Sequence, residues 1–90
     1  MAMSRGSSWK EHRLMDRLPA GDAEYAVDLL ARKATGVSGW RVTLVYLPRG
    51  AGEEVTVELP GAGSTAGVRR LVRELEGEET ELRAYLEGRR

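Results

Sequence analysis

Few residues in this chain are equipped for chemistry: one histidine, His12, no cysteine, and glutamates at positions 74, 76, 78, 79 and 81. A single histidine cannot build a histidine metal cluster, and a Ser-His-Asp arrangement would have to be oriented from a short N-terminal element. His12 therefore reads as a surface side chain. Glutamates in pairs can do acid–base work, but at helical spacing these spread around a solvated surface. Glu74 also stands four residues after Arg70, the spacing of a helix ion pair. The lack of cysteine excludes a disulfide framework, a thiolate zinc site and a cysteine nucleophile, and it favours a reducing, cytoplasmic compartment. No catalytic, metal-binding or cofactor-binding residue is expected, and the chain reads as a non-enzyme.

Two further groups of residues invite a ligand. Gly61-Ala62-Gly63-Ser64-Thr65-Ala66-Gly67 lies between a strand and a helix, where backbone N–H groups can cradle a phosphate. Its spacing matches neither the dinucleotide fingerprint nor the phosphate loop, and no lysine precedes Ser64, so a connection with a capping hydroxyl is expected. Arg69, Arg70 and Arg73, with Arg41 and Arg49 on the hairpin, could form a modest phosphate-binding surface. No phenylalanine is present, and Trp40 and Tyr46 are assigned to the core, so the stacking platform of a single-strand reader is missing. A nucleic-acid-associated regulator using Arg69, Arg70 and Arg73 is the alternative function.

Fourteen basic and fourteen acidic residues cancel across the 90-residue chain, so net charge gives no general attraction to nucleic acid or anionic lipid. The ends differ: residues 1–20 carry Arg5, Lys10, Arg13 and Arg17 against Glu11 and Asp16, while residues 74–87 carry six glutamates. That asymmetry suits self-association or a charged protein partner. The longest apolar stretch, about the length of residues 42–47, falls far short of the ~20 residues a membrane helix needs, and no signal-peptide core follows Met1. Membrane binding is not expected. At this size folding removes only ~60% of the unfolded chain's surface from water, so stability should be modest unless a partner helps.

The elements that must position these residues follow from periodicity. Residues 1–7 have none and are expected to form a disordered arm, leaving 8–90 as one small α+β domain. Ser8 and Glu11 have capping-box spacing ahead of Trp9, Leu14, Met15 and Leu18, which predicts a helix over 8–18. Pro19-Ala20-Gly21 ends it, and Asp22 caps a second helix over 22–35 with Ala23, Ala26, Val27, Leu30 and Ala34 on its apolar side and Gly36 as its stop. Strands follow at 40–47 and 54–59 around the turn-rich residues 48–53. Ser64 or Thr65 caps a third helix with Val68, Leu71, Val72 and Leu75 buried. Gly77 favours a break before Leu82, Tyr85 and Leu86. The fold class expected is an antiparallel β-hairpin packed against flanking helices, in the order α-α-β-β-α-α.

Pairing Tyr46 with Val55, Leu44 with Val57 and Val42 with Leu59 puts six large side chains on one hairpin face. The reverse face is mostly polar but has an apolar corner at Val45 and Leu47. A self-associating or protein-binding surface is expected there, with the Trp9 helix, or in the terminal segment of Leu82, Tyr85 and Leu86.

The stretch 23–75 resembles the small head-to-tail joining proteins of lambda-like phages. The residues carrying the likeness are a helix ending Ala34-Thr35-Gly36, a strand opening Arg41-Val42, a glycine-containing turn, a strand Val55-Thr56-Val57-Glu58, and Ser64-Thr65 opening Val68-Arg69-Arg70-Leu71-Val72-Arg73-Glu74-Leu75. The resemblance implies two helices on one hairpin, a bacterial or phage setting, and a non-enzymatic adaptor at a portal ring that works through protein contacts and a tail at 78–90. Residues 41–75 also resemble the opening of a ubiquitin-like β-grasp, which would need further strands after the helix.

Overall fold

The computed structural model describes residues 9–33 and 39–88. Among them the chain forms four strands and then two helices: β1 (Trp9–Ala20), β2 (Ala23–Lys33), β3 (Trp40–Pro48), β4 (Val55–Ala62), α1 (Thr65–Leu75) and α2 (Glu79–Gly88). The strands make one antiparallel sheet in the order β1-β2-β3-β4. The order β-β-β-β-α-α replaces the α-α-β-β-α-α order read from the sequence, and the two segments expected as the first helices are strands. The 1–7 arm and the end of the second helix at Ala34 and Thr35 lie outside the described residues.

The misreading has a physical cause in β1. Its pairing with β2 slips between Arg13 and Met15 and again between Met15 and Leu18. Such bulges put an extra residue into one strand and break the strict alternation of faces. Leu14, Met15 and Leu18 therefore all reach the core side, an i, i+1, i+4 spacing that imitates a helix. In β2 the alternation is intact, with Tyr25, Val27, Leu29 and Ala31 on the core face. Its other face carries Ala26 and Leu30, so apolar residues on both sides blur the two-residue period.

Gly21 and Asp22 form the two-residue turn between β1 and β2, with Ala20 paired to Ala23. Gly21 sits at φ 63°, a left-handed conformation that glycine takes without a Cβ clash and that matches the twist of a hairpin. Asp22 is thus a turn residue, not a helix cap.

The β3–β4 register is the one the alternation predicted: Tyr46 opposite Val55, Leu44 opposite Val57, Val42 opposite Leu59. Val42, Leu44 and Tyr46 are fully buried in a cluster with Leu18, Val27, Leu29, Val68, Leu75 and Leu82. Val55 and Val57 are partly buried and pack against it.

Helix α1 starts at Ser64, whose hydroxyl accepts the N–H of Gly67 at 3.1 Å. It ends at Glu76, and Gly77 at φ 75° turns the chain into α2. The Gly77 N–H donates to the Leu14 carbonyl at 3.1 Å, and Arg83 Nε donates to the Pro19 carbonyl at 2.9 Å. These bonds dock the break and α2 onto β1. Because α1 touches β1, β3 and β4 while α2 touches β1 and β4, the sheet curls so that both of its edge strands reach the helices. No helix among the described residues is long and apolar enough to cross a membrane.

Candidate interaction surface

Both helices bury the same face of the sheet, so the reverse face has no layer over it among the described residues. Its composition follows from the unbroken β2–β3 register, in which Ala26 pairs with Leu47, Asp28 with Val45, Leu30 with Thr43 and Arg32 with Arg41. None of Ala26, Leu30, Val45 and Leu47 belongs to the core cluster. Ala26 is buried, while Leu30, Val45 and Leu47 are half-buried. They make an apolar strip along the two central strands.

Charges rim that strip. Glu11 flanks Leu30 from β1, and Glu58 flanks Thr43 from β4. Arg41 approaches Glu58 at 3.7 Å, with both side chains largely in solvent. Exposed pairs of this kind are worth less than about 1 kcal/mol, so they leave the rim open to other charges. At one end Arg49 reaches across β2, 3.8 Å from Glu24 and 3.4 Å from the carbonyl of Asp16.

Asp28 is the buried acid of this face, 6% exposed. It accepts a hydrogen bond from Nε of Arg13, the residue opposite it on β1. Arg13 also donates to Asp16 at 3.0 Å. These bonds, that to Asp28 foremost, raise the Arg13 guanidinium above its ordinary pKa. A buried carboxylate is tolerated only when hydrogen-bonded and paired, and Arg13 supplies both conditions. The sheet face is thereby held in one arrangement without a covering layer.

Other sequence-predicted residues are scattered. Val45 and Leu47 lie together on the reverse face, as the alternation required. Trp9 opens β1 opposite Arg32, and its side chain lies outside the described residues. Leu82 is fully buried, its carbonyl accepting the Tyr46 hydroxyl at 2.7 Å. Leu86 packs against the core. Only Tyr85 of that trio is exposed, so the three do not form one contact patch. Arg69, Arg70 and Arg73 are exposed on α1. No ion pair joins Arg70 to Glu74, contrary to the helix spacing, and among the described residues none of the three arginines has a carboxylate within 4.0 Å.

His12 faces the helix side of the sheet opposite Leu29, and its Nε2 is buried without a hydrogen-bond partner. It is not the free surface residue the sequence indicated. Among the described residues no three histidine, aspartate or glutamate side chains gather as metal ligands.

The residues that sequence reasoning missed are Leu30, Ala26 and the Arg13–Asp28 pair. The signal that could have found them is Gly21-Asp22 between two apolar segments, a two-residue hairpin turn. Comparison with known protein families, with curated proteins and with solved structures finds no match to this chain.

Proposed function

We propose that this protein is a non-enzymatic interaction module that self-associates through the reverse face of its sheet. The single observation carrying the reading is the apolar strip of Leu30, Val45 and Leu47, set in the middle of a sheet face that neither helix covers. In a chain this small a second copy removes apolar surface that one copy cannot hide, adding stability in proportion to the area covered. The strip lies centrally with Glu11, Glu58 and Arg41 at its margins, and the one acid within it, Asp28, is buried and paired with Arg13. The likeness to head-to-tail joining proteins needs a helix over residues that form β2, so the proposal is made without it.

Multi-angle light scattering over a range of concentrations tests the reading. A rising mass for the parent chain, and a monomer for Val45→Asp with an unchanged far-ultraviolet spectrum, is the expected result. A parent that stays monomeric throughout would remove it.

A second reading has one observation in its favour: the exposed Arg69, Arg70 and Arg73, on one helix and without carboxylate partners among the described residues. Unpaired arginines are free to displace counterions from a phosphate backbone. Gel retardation of a short duplex at low salt, lost in a triple Arg→Ala variant, is its expected signature. Neutral net charge and the lack of a stacking platform place it second.

A further inference from the structure

Strand β4 is an edge of the sheet, pairing with β3 and with no other strand among the described residues. An edge strand presents unpaired N–H and C=O groups along its outer side, a template on which an extended chain can add a strand. Helix α2 stands beside this edge. Between them opens a cavity of about 430 Å³ lined by Val57, Glu81, Ala84, Tyr85 and Gly88. The four helix residues fall at i, i+3, i+4 and i+7, one face of α2. Tyr85 is 37% exposed, and nothing lies within 4 Å of where a Cβ on Gly88 would stand, so the groove is open at its end.

The charges bordering the groove select its occupant. Among the described residues Glu81 is the one charged side chain that lines it. On the other side of the same strand Glu58 stands exposed, held only by its loose pair with Arg41, and Glu54 is exposed just before the strand begins. A strand laid along β4 would alternate between these two environments. Its residues on the helix side meet Val57, Ala84 and Tyr85, and its residues on the other side lie beside Glu58 and Thr56. A second copy of this chain paired through β4 in the register centred on Thr56 would set Glu54 directly across from its Glu58, and like charges opposite each other destabilise a sheet.

We infer that the groove between β4 and α2 binds an extended peptide segment in which arginine or lysine alternates with small apolar residues, the segment adding a fifth strand to the sheet. The backbone bonds along β4 supply affinity, the apolar side chains fill the space against Val57 and Tyr85, and Glu58 on the other side of the strand pairs with the basic residues, while Glu81 adds negative charge on the helix side. This surface meets the self-association face at Thr56 and Glu58, which border the apolar strip from β4.

The test titrates the isotope-labelled full chain with a capped octapeptide alternating arginine and valine, followed by amide chemical shifts. Saturable shifts confined to residues 55–59 and 81–88 are expected, with about tenfold weaker binding in Glu58→Lys and in Glu81→Lys, the size a lost charge contact produces. Both substitutions are on exposed residues and leave the core intact. Absence of shifts would overturn the inference. So would equal binding of a glutamate–valine octapeptide, or shifts centred on Leu30, Val45 and Leu47.

Discussion

Tyr46 shows how one side chain couples the sheet to the helices. Its ring is buried on β3 and meets Tyr25 edge-on at 6.2 Å between centroids, and its hydroxyl donates to the Leu82 carbonyl on α2. Burial pushes its ionisation well above the ordinary tyrosine value, and the nearby Tyr85 adds a smaller push. The sign follows from linkage. An unfolded tyrosine ionises near pH ~10, whereas the folded chain holds this proton to higher pH. The stabilisation is therefore complete below the unfolded value and is lost as pH rises from there through the higher value of the folded group. Tyr46→Phe should cost roughly 1 kcal/mol at neutral pH, the net worth of one hydrogen bond. It should also make stability fall less steeply above pH ~10 than in the parent, because the titrating group is gone. Urea unfolding at a series of alkaline pH values measures both effects.

At the scale of elements, the β1–β2 hairpin depends on its turn. Gly21 takes a left-handed backbone conformation with no atom within 4 Å of an added Cβ. Gly21→Ala therefore isolates the backbone term and should destabilise by about 1 kcal/mol, read as a lower urea midpoint with unchanged slope. The same hairpin explains why two of the six elements were hard to read. Helix and strand periods differ only if the pattern is clean, and bulges in β1 and the two-sided apolar character of β2 removed that cleanness. Beyond these, β3, β4, the Ser64 cap, the buried stripe of α1 and the Gly77 break were all legible. Each depends on residues close together in the chain.

For the whole molecule, the curled sheet covers its helices with one face, and no described element covers the other. Leu82, fully buried, belongs to the first face, and Val45 to the second. If the bare face is the self-association surface, the melting temperature of the parent should rise with protein concentration while that of Val45→Asp stays constant. Mass action stabilises a folded state that associates. Of the candidate contact residues, Val45 and Leu47 could be placed from alternation alone, since a hairpin has two faces and the other one was full. Leu30, Ala26 and the Arg13–Asp28 pair could not, because their positions depend on β2 lying between β1 and β3.

The sequence by itself determined the β3–β4 register, the core side of that hairpin and the helices after Ser64, because alternation, capping and helix-breaking are local physics. Only the tertiary structure decided that residues 9–33 are strands. A segment such as β2, rich in alanine and leucine, leans towards helix by itself, and hydrogen bonds to strands on both sides outweigh that preference. That choice turned a hairpin into a four-stranded sheet, and with it enlarged the face that the helices leave uncovered and made β3 an inner strand, with β1 and β4 as the edges.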